Sequence, residues 1–396
     1  MFLAASPYFQ MRFADNDRIL ASFQSAITSV SSVTNLTSML VLANMQSKAS
    51  YPKRILSALV INLVIFSLLA ISTKYFRGVS PAGYLVFTLI MAFGSSVATG
   101  LCQNGAFAFA ASFGRPEYLQ AIMTGQAVAG VLPSIAQIVT ILAIPEPDDY
   151  SDAAAVGPAK ENTTSAFMYF LTAAAISTLC LLSMMPLIRK HNQIMQNQMS
   201  SSISSVEELE RSKRKVVSLW TLYKKLHWLA AALFVSFSIT MFFPVFTGKI
   251  VSIVPIDEAP RILKPNVFIP FGFLVWNIGD LLGRLSTYIP FPAGAKFRRP
   301  QSLFLFAVLR SGFVPIYLLC NIENHGAKIK SDIFYLFVQQ LLFGITNGWL
   351  GSYCMIEFSN FVEEGEREAA GGFMALNLVA GIMCGSFLSF SASGVH

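Results

Sequence analysis

Phe268-Ile269-Pro270-Phe271-Gly272-Phe273-Leu274-Val275-Trp276-Asn277-Ile278-Gly279-Asp280-Leu281-Leu282-Gly283-Arg284 is the stretch on which the reading of this chain turns. It is apolar and long, yet it carries an aspartate and an arginine. A charge at membrane depth costs a few kcal/mol on insertion scales, so it is seldom there without a role. On a helix, positions 277, 280 and 284 fall within about 60° of arc. Asp280 and Arg284 are spaced to pair along one face. An amide, a carboxylate and a guanidinium pointing into a helix bundle form the stripe a polar solute needs to cross a membrane. A structural salt bridge between helices is the plainer alternative.

Composition supports a membrane setting. Of 396 residues, 54% are hydrophobic and 12% charged, about half the charged fraction of a soluble domain. Ten apolar runs near spanning length are predicted at 21–44, 55–73, 83–112, 119–143, 166–186, 226–246, 266–290, 301–320, 332–358 and 368–392. The net charge of +7 then reads as a topology signal, not as a nucleic-acid footprint. The five cysteines sit in apolar runs as small hydrophobes, without metal spacing. No zinc motif or nucleophile motif occurs, so neither an enzyme nor a metal or cofactor is expected.

Loop charges orient the spans. The connection 187–225 holds eight Lys/Arg and the Ser-rich run Met199–Ser205, so it reads as a cytosolic linker. The connection 144–165 is acidic and contains Asn162-Thr163-Thr164, which makes Asn162 a glycosylation candidate. Alternating from these anchors puts 16 Lys/Arg in cytosolic loops and 10 outside. The C-terminus then faces the outside or an organelle lumen. The basic loop separates an N-terminal bundle (1–186) from a C-terminal bundle (226–396), the layout of a transporter with its site at the midplane. A receptor or membrane scaffold would share it.

Other intramembrane polar groups are few. Arg310 stands alone in Leu303–Leu319 and is expected to tie to a carbonyl or carboxylate of a neighbouring helix. Thr99-Gly100-Leu101-Cys102-Gln103-Asn104-Gly105 offers Gln103, an amide that both donates and accepts and suits a base edge; interhelical hydrogen bonding beside close-packed glycines explains it equally. Small residues at 125, 129 and 130 predict tight helix packing. Ser32 and Asn35 share a helix face, as a wet cavity wall or as helix contacts.

These residues, in this order, resemble the equilibrative nucleoside transporter family. The resemblance rests on Met1–Phe9 as the second half of the first helix, Gln103-Asn104-Gly105, Gly125–Gly130, Asn277-Ile278-Gly279-Asp280-Leu281-Leu282-Gly283-Arg284, Asn347-Gly348-Trp349-Leu350 and Glu368-Ala369-Ala370-Gly371. It implies an all-α, major-facilitator-like architecture of six plus five helices, with the first helix truncated here to a stub. It implies that Gln103 binds the nucleobase and that Asp280 and Arg284 hold the ribose hydroxyls, with Asn277 and Phe273 beside them. Leu3 and Ile382 would be apolar walls. Ser32 and Asn35 fall where some relatives carry Met and Leu, so the wall is more polar. Arg54 and Glu368 match a pair that closes the cytosolic side, and Pro244 lies near the outer gate. The family's Trp-Asn pair would precede Met1.

The resulting expectation is facilitative transport of nucleosides, or of nucleobases, by alternating access. The expected protein is a multi-pass monomer in the plasma membrane or a vacuolar or lysosomal membrane, with nucleosides and the lipid bilayer as its partners and no nucleic acid. The alternatives are a proton-coupled endomembrane form, with Asp280 carrying the proton, and a non-transporting receptor or scaffold.

Overall fold

The computed structural model describes residues 6–46, 50–76, 78–143, 163–196, 216–289 and 299–392. Leu3, Asn162 and residues 197–215 of the basic loop lie outside the described residues. Among the described residues the chain is helical, save an isolated antiparallel bridge between Ile250 and Ile322. The α-helices are α1 (Ser6–Arg12), α2 (Asp17–Asn44), α3 (Tyr51–Tyr75), α4 (Pro81–Ser112), α5 (Pro116–Ala143), α6 (Thr163–Gln196), α7 (Leu219–Thr240), α8 (Phe242–Thr247), α9 (Pro265–Ser286), α10 (Pro300–Leu309), α11 (Phe313–Ile316), α12 (Phe343–Glu357) and α13 (Arg367–Ala392).

Nine described stretches are long and apolar enough to cross a membrane, and each falls on an expected span. The remaining expected span, 332–358, is helical too, but its first half, Phe334–Leu342, winds as a π-helix before α12 continues it. Several helices outrun their apolar runs. α6 continues to Gln196 and α7 begins at Leu219, which shortens the expected 187–225 linker from both ends. Hydropathy marks only the part of a helix that needs lipid. Helical hydrogen bonding continues past it, and Ser218 caps α7 by accepting from the Thr221 amide at 3.2 Å.

The chain divides into two compact units, Met1–Phe109 with Pro147–Val216, and Ala110–Glu146 with Val217–His396. In this division α5 groups with the C-terminal helices. In the first unit α3 packs along α6, and an aromatic core of Phe9, Phe13, Phe23, Tyr84 and Phe170 is fully buried or nearly so. Short as it is, α1 supplies Tyr8 and Phe9 to that core, and Phe13 joins them just past its end. The Tyr8 hydroxyl bonds Tyr84 at 3.1 Å, and Tyr84 bonds Ser72 at 2.9 Å. Arg12 donates to the carbonyls of Phe76 and Val79 at 2.8 and 2.7 Å, just past the end of α3. Its guanidinium also lies 4.9 Å over the Tyr84 ring. Arg12→Met is expected to destabilise the protein by about 1 kcal/mol, the net worth of partly solvated hydrogen bonds. A melting curve in detergent checks it; an unshifted curve would show that α1 is not anchored through this side chain.

In the second unit, glycines set the helix spacing. Gly279 and Gly283 of α9 lie against the backbone at Leu341 and Ile345, while Gly344 and Gly348 of α12 lie against Trp276 and Asp280. Gly381 and Gly385 of α13 pack in the same way on the α7 backbone at Phe234 and Ser238. Small residues permit such backbone contact between membrane helices. Pro244 lacks an N–H to offer Thr240, and the helix breaks between α7 and α8 at that place. Beyond Leu309 the next span loosens into a 3₁₀ turn at Arg310–Gly312, one turn before Pro315. At one end of the unit, Asp332 accepts from the Ser252 hydroxyl and, at 3.1 Å, from the Ile253 amide. Lys249 pairs with Glu323 at 3.3 Å in the same loop junction.

Candidate functional site

The polar stripe of α9 faces its neighbours within the second unit. Asp280 and Arg284 are 4% and 5% exposed and joined at 2.7 Å between Oδ2 and Nε. The predicted pairing along one turn is therefore present. Arg284 also donates through Nη1 to the Met123 carbonyl at 2.8 Å and to Gln126 Oε1 at 3.4 Å, both on α5. The other Asp280 oxygen, Oδ1, accepts from Asn347 Nδ2 on α12 at 2.7 Å. A buried charge persists only when paired and hydrogen-bonded; here the carboxylate has a guanidinium on one oxygen and an amide on the other.

Asn347 extends the network. Its Oδ1 accepts from Thr240 Oγ1 at 2.7 Å, from Arg310 Nη2 at 3.2 Å and from Ser236 Oγ at 3.4 Å. Arg310 is 1% exposed. It donates to the Ser236 hydroxyl, to Thr346 Oγ1 at 3.1 Å and to the Ser236 carbonyl at 3.5 Å, with its guanidinium 5.1 Å over the Phe343 ring. The expected tie of Arg310 to a carbonyl holds. The carboxylate alternative does not: Arg310 reaches Asp280 only through Asn347.

Asn277, on the same face, donates to the Phe273 carbonyl of its own helix at 2.8 Å and to Ser134 Oγ at 3.4 Å. Its Oδ1 lies against Gly130 of α5. Of the small residues expected to pack tightly, Gly130 does so. Gly125 does not: a Cβ there would meet nothing within 4 Å. The ring of Phe273, half-buried, stands edge-on to Phe243 at 5.1 Å. Pro244 lies in α8, half-buried. Ile382 is half-buried on α13 beside Gly381, and Glu368 is half-buried in the first turn of α13.

In the first unit, Asn35 and Gln103 line one seam. Asn35 Oδ1 sits at Gly100 of α4, one turn before Gln103. Both side-chain oxygens are buried without a hydrogen-bond partner. Ser32 is half-buried one turn earlier on α2. Arg54 donates to Asn104, to the Leu42 carbonyl at 3.2 Å and to the Met45 carbonyl at 2.6 Å, so it ties α2, α3 and α4 together. Close approach of α4 and α3 at Gly105, which lies against Ile55, Tyr51 and Arg54, makes these bonds possible.

Sequence reasoning did not find the role of Asn347, nor the link from Arg310 to Asp280. The signal was a polar residue beside a glycine, Asn347-Gly348, in an apolar run: the glycine brings the backbones together and the amide spans the gap.

The class follows from the fold. Over 98% of its length the chain is similar to a crystal structure of the Major Facilitator Superfamily transporter FucP in the outward conformation, with a TM-score of 0.55, 13% identity and 95% of that chain covered. The fold is thus major-facilitator-like, with nine described stretches able to span a membrane. The family model described as nucleoside transporter matches residues 89–393, and the chain belongs to that nucleoside transporter family. Similar relatives include the nucleoside transporter FUN26 of Saccharomyces cerevisiae, 28% identical over 98% of this chain and 80% of its own length. Equilibrative nucleoside transporter 1 of Homo sapiens is 29% identical over 85% of this chain and 75% of its own. Neither fold nor family favours the receptor, scaffold or proton-coupled readings.

Proposed function

We propose that this chain moves nucleosides down their gradient by alternating access, with Asp280 and Arg284 as the ribose-binding pair. The observation that carries this reading is the buried carboxylate held at one oxygen by Arg284 and at the other by Asn347. Each oxygen keeps acceptor capacity, and two adjacent acceptors suit the two vicinal hydroxyls of a ribose. An uncharged solute leaves the ion pair intact as it comes and goes. Gln103 reads the base, with Asn35 and Ser32 as a polar wall, Phe273 and Asn277 beside the site, and Ile382 and Leu3 as apolar walls. Arg54, Glu368 and Pro244 act in gating. The protein works as a monomer in a plasma or vacuolar-type membrane, with Asn162 and the C-terminus on the non-cytosolic side.

The test is uptake of labelled adenosine and uridine into vesicles holding the purified chain. Saturable uptake that stops at equal concentrations, and that an imposed acid gradient does not increase, is expected. Absence of nucleoside uptake, or accumulation driven by the proton gradient, would overturn the reading.

A further inference from the structure

Arg310 is among the largest fully buried side chains and forms no ion pair among the described residues. A cation in that position is expensive to keep, and its partners are neutral oxygens: Ser236, Thr346 and Asn347. The Asn347 bond has a directional consequence. An amide can face its neighbours with either its oxygen or its NH₂. Arg310 Nη2 and Thr240 Oγ1 both approach the amide oxygen. The guanidinium can only donate, so it demands that oxygen; the single Thr240 proton is shared between Asn347 and the Ser236 carbonyl at 2.8 Å and adds to the preference without fixing it. The NH₂ is thereby turned to Asp280 Oδ1, which accepts at 2.7 Å. The reverse orientation would set NH₂ against a guanidinium and an amide oxygen against a carboxylate.

We infer that Arg310, acting through Asn347, is a positioning residue for the substrate site: it fixes the amide that in turn fixes the plane of the Asp280 carboxylate. Arg284 holds Oδ2 alone, and one bond leaves the carboxylate free to rotate. The second bond, at Oδ1, is what aims both oxygens. Thr240 contributes to the same lock from α7. The consequence is specificity for a ribose with its hydroxyl pair. The inference rests on the reading of Asp280 as the ribose group.

The test compares binding of adenosine with that of 2′,3′-dideoxyadenosine to the purified full chain in detergent. The variants are Arg310→Met, Thr240→Val and Asp280→Asn, with Arg310→Lys as the conservative form. If Arg310 positions Asp280, Arg310→Met lowers adenosine affinity by about tenfold and leaves dideoxyadenosine binding unchanged, so discrimination collapses. Thr240→Val gives a smaller loss of the same kind, and Arg310→Lys restores part of the ratio. A merely structural arginine would weaken both ligands equally, and that outcome overturns the inference. Asp280→Asn separates the two levels. If it collapses the ratio while folded Arg310→Met and Thr240→Val keep it, positioning alone is wrong. If Asp280→Asn itself keeps the ratio, the ribose reading falls and the inference with it. Should Arg310→Met not fold, Thr240→Val and Arg310→Lys decide.

Discussion

Asp280→Asn will reduce nucleoside uptake by two to four orders of magnitude while the protein still reaches the membrane. The substitution keeps the shape of the side chain and removes its charge. Two things are lost. The ribose loses acceptance by a carboxylate, worth about 1.5–3 kcal/mol for each hydrogen bond to a charged group. With two hydroxyls this comes to about 3–6 kcal/mol, and each 1.4 kcal/mol is tenfold. Arg284, 5% exposed, also loses its counter-ion. Breaking a buried pair from one side costs about 3–5 kcal/mol, although the Met123 carbonyl and Gln126 still take part of the guanidinium. A lower melting temperature should therefore accompany the loss of transport. Initial-rate uptake normalised to surface protein is the measurement. Wild-type rates and affinity in Asp280→Asn would remove Asp280 from the site.

The spans were legible because lipid imposes a length on apolar runs, and among the described residues nine spanning stretches stand where hydropathy put them. Their ends were not. Leu219–Lys225 carries a tryptophan, a tyrosine and two lysines and scores as a loop, yet it is helix. The Asp280–Arg284 pair was legible because both members sit on one helix, and helical geometry fixes where they meet. Arg310 was visible as a charge, but its partners lie 36, 37 and 74 residues away, on helices whose order in space no local pattern encodes. The same holds for α5. Its contacts with α9 and the residue after it, Arg284 on Met123, Asn277 on Gly130 and Gln120 on Thr287, lie more than 140 residues apart in sequence. The π-helix at Phe334–Leu342 had no sequence signal at all, since its residues are ordinary helix formers in lipid.

Gly348→Ala is expected to be nearly as damaging as the loss of Asp280, with no change of charge. Gly348 precedes no turn and has no unusual torsion; it is required by distance. A methyl group at that position would run into the carbonyl of Asp280. That atom belongs to a helix backbone and cannot swing aside as the end of a side chain can. The neighbouring contacts admit no compensating tilt. Gly344 meets the Trp276 carbonyl one turn away, and Gly279 and Gly283 of α9 meet Leu341 and Ile345 in return. The helices would have to separate along the whole seam. Overpacking costs about 1–3 kcal/mol where neighbours can adjust, and the upper end applies where they are backbone. Separation also stretches the 2.7 Å bond from Asn347 to Asp280, so binding should fail together with stability. Gly312→Ala is the matched control, because a Cβ there meets nothing within 4 Å. Melting curves with and without adenosine check both variants. A Gly348→Ala protein that melts and binds as the wild type does would show that the α9–α12 seam is looser than its four glycines require.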